Sequence, residues 1–247
     1  MTSESTAAAV APVAADDAMA ALAVLGDESR RRLFEFVRRA RRPVTREEAS
    51  AAVGISRKLA AFHLDKLVAS GLLQARHGGD GPRRVGRAPK VYEPAPRTLT
   101  LSLPPRRHEL LASLLAEAVT AQRPGESAQE ASFRVARARG AALGAGAGPG
   151  DVRPFLESLG FEPADDGDGR TVLHNCPFHP VAEEARELVC GMNHAFLCGY
   201  LAASEARETI AVLAPRVGVC CVELRNGPAY EAEPEAADAA CARDALA

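Results

Sequence analysis

Between residues 45 and 71 the chain carries helix start and stop signals in an order that leaves few folds open. Thr45-Arg-Glu-Glu48 is a capping box, in which Thr45 bonds the amide of Glu48 and Glu48 reaches back. The helix it opens, about 46–52, ends at Val53-Gly54, where glycine supplies the left-handed conformation of a tight turn. Ser56 caps the next helix, which runs to Ser70 and stops at Gly71. Upstream, Asp27 is an N-cap, and Leu33, Phe34, Phe36 and Val37 follow at helical spacing before Pro43. Helix, short glycine turn, helix is the helix-turn-helix pattern.

A wing is expected next. Residues 72–76 read as a short strand, 90–93 as the return strand, and 77–89 as a Gly/Pro/Arg loop. On the third helix Ala60, Leu64, Leu67 and Val68 form the expected buried stripe. Ser56, Arg57, Lys58, Ala61, Phe62 and Lys66 then lie on or beside the outward face. In a helix-turn-helix that face enters the major groove. Ser56 suits a phosphate, Arg57 or Lys58 a guanine, and Ala61 a thymine methyl. Arg83, Arg84, Arg87 and Lys90 place the wing along phosphates. His63 is expected to pack between helices and bond a backbone group. Charge agrees with a double-stranded DNA partner: residues 26–97 hold 17 Lys and Arg against 8 Asp and Glu, a net +9 in a chain of net −2. No apolar run approaches the ~20 residues of a membrane span. The first 17 residues lack the basic start of a secretory signal, so the expected location is the cytoplasm.

Beyond residue 98 the balance turns acidic. Residues 106–122 read as a helix with Leu110, Leu111, Leu114, Leu115 and Val119 on one face, assigned to homodimerisation over packing on its own C-terminal part. Residues 127–143 can form another helix, and 140–150 read as turn and weak helix. A short helix at 152–159, strands at 161–164 and 170–175, a helix at 183–203 and a strand at 217–224 make a small α+β piece. All six cysteines fall in the last 72 residues, which in a reducing compartment points to metal or redox chemistry. Cys190, His194 and Cys198 repeat every four residues, but eight residues span about 12 Å of helix, too far for one ion. Cys198 is therefore read as core, and Cys241 as free in an acidic tail. Cys220 and Cys221, adjacent on a strand, would face opposite ways, so one of them joins Cys176 and Cys190. His179, His174 or His194 could complete the set. The spacings leave iron–sulfur, zinc and no metal open.

His-Leu-x-x-Leu-x-x-x-Gly-Leu-Leu at 63–73 and Gly-Arg-x-Pro-Lys-x-Tyr at 86–92 resemble the ArsR-like bacterial repressors. The longer branch, which includes the repressor of the iron–sulfur assembly operon, is the nearest in pattern, over residues 20–225. The cysteine site of the short arsenic-type repressors has no counterpart, since no cysteine precedes Cys176. Asn-Cys-Pro-Phe…Cys…Cys-Cys is similar to that branch's C-terminal pattern, and the resemblance implies a cluster whose state controls DNA affinity. His179 is a departure, standing where a basic residue is frequent. The expected fold is mainly α with α+β. Its parts are a disordered lead-in (1–17), a winged helix-turn-helix (18–98), a helical connector and dimerisation segment (99–148), an α+β sensor domain (149–226) and a disordered acidic tail (227–247). The expected function is a dimeric repressor with metal candidates Cys176, Cys190, Cys220, Cys221 and His179, an iron–sulfur cluster or zinc as cofactor, and no enzymatic activity. A thiol or zinc enzyme built on Cys176 would leave the basic third without a role.

Overall fold

The computed structural model describes residues 15–78, 89–96, 99–148, 151–204 and 208–227. The chain is mainly α with α+β and divides into two compact units, 1–101 and 102–247. No described helix is long and apolar enough to cross a membrane.

The first unit runs α1 (Ala15–Leu25), α2 (Glu28–Ala40), β1 (Val44–Thr45), α3 (Arg46–Val53), α4 (Arg57–Ala69), β2 (Leu73–His77) and β3 (Lys90–Pro94). The local signals act as written. Asp27 accepts from the Arg30 amide at 2.9 Å, and both halves of the Thr45–Glu48 box form. Gly54 takes φ 76°, and Ser56 accepts from the Leu59 amide. The three strands order β1-β3-β2, all antiparallel, with Ala75 opposite Tyr92. Leu33, Val37, Val44, Ala49, Ala60, Leu64, Leu67 and Tyr92 close the core. α1 begins inside the segment read as lead-in; Ala18 and Ala21 are buried. Val68 is only partly buried, and His63 takes a core position instead. Arg83, Arg84 and Arg87 lie outside the described residues, as do residues 228–247 with Cys241.

The second unit holds α5 (His108–Thr120), α6 (Ala128–Gly144), α7 (Arg153–Leu159), β4 (Pro163–Asp165), β5 (Arg170–Leu173), α8 (Val181–Glu184), α9 (Arg186–Ala203), β6 (Thr209–Leu213) and β7 (Val222–Asn226). Its antiparallel sheet orders β4-β5-β7-β6, so the last strand inserts between its predecessors. β6 was not anticipated, and 217–219, expected as strand, is a turn. The apolar face of α5 is spent inside this unit: Leu111, Leu114 and Ala118 are buried in its core, with Leu110 and Leu115 against it. Only Val119 of the proposed dimer seam is exposed, so that seam is corrected. The helices read as a connector are part of this unit.

Every residue of α9 from Val189 to Leu201 except Ala195 is buried, as befits a helix covered on all sides. It lies against α6 at backbone contact. A Cβ on Gly140 would fall onto the Phe196 carbonyl, one on Gly144 onto that of Tyr200, and one on Gly199 onto that of Arg137. This is why the last turn of α6, to Gly144, is helical at the start of the Ala/Gly-rich stretch read as turn and weak helix. Tertiary contact there outweighs glycine's helix penalty of about 1 kcal/mol. Gly140→Ala should therefore destabilise this unit by about 1–3 kcal/mol or more, because backbone cannot yield as a side chain does. Gly146→Ala, whose Cβ would meet nothing nearer than Leu143 O at 3.9 Å, should be close to neutral. Urea midpoints of the two variants test the contrast.

Candidate nucleic-acid interface and thiol cluster

The N-terminal half of α4 presents Ser56, Arg57 and Lys58 to solvent; Ala61 is half-buried, and Phe62 and Lys66 are exposed. The Lys66 ammonium sits 5.8 Å from the Phe62 ring centroid. Leu59 is 41% exposed and Phe62 54%, three residues apart, so α4 carries an apolar pair between its cations. Leu59 was missed in the sequence. Its spacing from Phe62, off the buried stripe, was the available signal. Lys90 Nζ is 2.6 Å from Asp65 Oδ1 and lies over the Tyr92 ring, so this candidate ties β3 to α4. His63 is buried with Nδ1 unbonded, rather than bonding a backbone group there.

α4 is aimed by α3, and α3 is fixed by Glu48. The carboxylate accepts from Arg42 at 2.7 Å and from the Thr45 amide at 2.8 Å, which pulls its pKa from an ordinary 4.5 to about 2. A carboxylate depressed in the fold adds stability that is present above pH 4.5 and lost as pH falls through 2. Glu48→Gln should thus flatten the acid limb of the first unit's stability between those values, as followed by circular dichroism.

In the second unit four free thiols meet. Cys190, Cys220 and Cys221 lie in one apolar core, and Cys176 packs against it. They come from the loop after β5, from α9 and from the bend before β7. The expectation that Cys220 and Cys221 face opposite ways is corrected. They precede the strand, where Gly218 at φ 82° turns the chain and Cys220 N–H donates to Leu173 O at 2.8 Å. A bend, unlike a pleat, lets neighbouring side chains share one side. Glu223, buried on β7, holds this turn by ion pairs to Arg216 and Arg225.

The Cys176 loop is pinned as closely. Arg106 donates to Asn175 Oδ1 at 2.5 Å and to the Cys176 carbonyl at 2.8 Å, while the Asn175 amide donates to Pro105 O and Gly160 O. Asn193, one turn along α9 from Cys190, donates to Cys220 Sγ at 3.3 Å; its buried Oδ1 has no partner. The sequence reading passed over Asn193, although its place at i+3 from Cys190 was visible. Hydrogen bonds from Cys176 and Cys221 hold Cys220 well below the ordinary thiol range, and one from Cys221 lowers Cys190. Their partners rise correspondingly: Cys176 against Cys220, and Cys221 against Cys190, each also raised by burial.

His179 lies elsewhere. Its Nε2 is 3.8 Å from Glu183, and its carbonyl contacts His108 Nε2. His194 Nε2 bonds Ala211 O at 3.1 Å and touches Cys198, which is buried and outside the free-thiol set; His174 is exposed. Among the described residues no group of three or more His, Cys, Asp or Glu is disposed to hold a metal ion. The donor chemistry of four cysteines, three buried and Cys176 half-buried, fits zinc or an iron–sulfur cluster.

A helix-turn-helix domain family matches residues 25–74, from the cap of α2 into β2. No curated protein matches the chain. The match to a helix-turn-helix domain supports a DNA-binding transcriptional regulator.

Proposed function

We propose that this chain is a sequence-specific repressor that binds DNA as a homodimer and senses redox or iron status through its second unit. Cys176, Cys190, Cys220 and Cys221 would hold an iron–sulfur cluster. The observation that carries this reading is the meeting of four free thiols from three separate elements, in a unit other than the one bearing the helix-turn-helix. When bound, such a cluster supplies a redox couple and a dependence on iron supply. The chain's own part is to place the sulfurs. Arg106 and Asn175 hold the Cys176 loop, α9 fixes Cys190 and Asn193, and Glu223 holds the Cys220–Cys221 bend. Taking up or releasing a shared ligand would join or free these elements, which is the bistable device a sensor needs. Zinc on the same four sulfurs is the second reading, favoured by the cysteine-only donor set.

The homodimer rests on recognition arithmetic, since one winged helix reads too few base pairs for specificity in a genome. Arg57, exposed at the start of α4, is the proposed base reader. Arg57→Ala should cost about 1–3 kcal/mol on an operator selected from a random-sequence pool, and relax preference at one position. Equal losses on selected and random DNA would remove the base-reading role. Iron, sulfide and zinc content after anaerobic purification test the sensor. Iron and sulfide in near-equal amounts support the cluster, zinc alone supports the second reading, and neither metal after reconstitution ends both.

A further inference from the structure

We propose that Phe62, with Leu59 beside it, reads the methyl group of a thymine in the operator, in addition to the base read by Arg57. This rests on the reading of α4 as the helix that enters the major groove, and adds to it a base that the helix selects. Phe62 is 54% exposed and Leu59 41%. Both belong to the N-terminal half of α4, the part of such a helix that reaches base edges. At 3.6 residues per turn Phe62 stands about 160° round the helix from Ala60 and from Leu64, both fully buried, so its ring points away from the core of the first unit. Leu59 precedes it by three residues, the spacing of neighbours on a helix surface, and the two side chains make one apolar patch.

The surroundings of the patch say what covers it. Arg57 and Lys58 lie exposed before it and Lys66 after it, with the Lys66 ammonium 5.8 Å from the Phe62 ring centroid. That contact steadies the ring and keeps a positive charge beside it. Asp65, the acid on this face, is engaged by Lys90 at 2.6 Å. An apolar protein surface laid here would strip water from the cations and give them no partner. A DNA groove meets the cations with phosphates and the patch with a methyl group. Thymine presents that methyl in the major groove, and apolar side chains such as phenylalanine recognise it by contact. Ala61, matched to the methyl from the sequence, is half-buried and has only its Cβ to offer, whereas Phe62 projects further from the helix.

The test uses the full-length protein and an operator selected from a random-sequence pool, with each thymine replaced in turn by deoxyuridine. The replacement removes the methyl and leaves the O4 acceptor in place. Burying one such group is worth about fourfold in affinity, so fluorescence anisotropy should show a loss of about that size at one or two thymines of each half-site. Phe62→Ala should weaken binding to the thymine operator and erase the difference between thymine and deoxyuridine, with binding to random DNA and the thermal melt unchanged. Phe62→Leu should keep part of the difference, Leu59→Ala should reduce it, and Ala61→Gly should leave it intact. The deoxyuridine scan of the wild type needs no variant to fold. Specific binding indifferent to every deoxyuridine, a difference that survives Phe62→Ala, or one erased by Ala61→Gly instead would overturn the proposal and leave the DNA reading standing. A pool that yields no preferred sequence would overturn the DNA reading itself, and this proposal with it.

Discussion

The backbone contact between α6 and α9 is the constraint on which the second unit depends. Gly140, Gly144 and Gly199 bring the two helices to a distance that any side chain would prevent. That leaves α9 enclosed, with α6 on one side and β6 and β7 on another. A helix so enclosed cannot slide or turn, and its residues become fixed reference points. Cys190 and Asn193 lie on it one turn apart, so the position of the thiol cluster is set by glycines that bear no chemistry. The stacking of Phe155 on Tyr200, with rings 3.5 Å apart, seals the same helix against α7.

The other two sides of the cluster are held by polar groups rather than by packing. The loop of Cys176 and the bend of Cys220 and Cys221 have no regular structure of their own. Buried hydrogen bonds from Asn175 and the paired Glu223 take the place of a strand ladder. Removing one member of such an arrangement leaves its partner buried and unsatisfied, which costs more than the bond contributed. A helix held rigidly thus faces two segments held by a few exchangeable contacts.

The first unit is built on the opposite plan. Its elements are set by neighbours in sequence, a capping residue three positions before the amide it bonds and a glycine where a helix must turn. Its surface chemistry is local as well. Lys66 leans on Phe62, and Asp65 draws Lys90 from the wing onto α4. That last pair reduces the cations ready to meet phosphate and makes the wing strand part of the helix's support.

The sequence by itself determined the helix-turn-helix, because capping boxes, glycine turns and period-3.6 stripes act within a few residues and are written where they act. Asp27, Thr45, Glu48, Gly54 and Ser56 could each be assigned before any coordinate, and so could the exposure of Arg57 and Lys58. The gathering of cysteines in the second half was legible too, but their geometry was not. Whether Cys220 and Cys221 diverge or converge depends on a turn set by Leu173, forty-seven positions away, and on Arg216 bonding Glu223. The fate of the α5 face was undecided for the same reason: an apolar stripe records that something covers it, not what. Only the tertiary structure, by laying α6 on α5 and α9 on α6, decided that the cover is this chain's own second unit and that four thiols share one place.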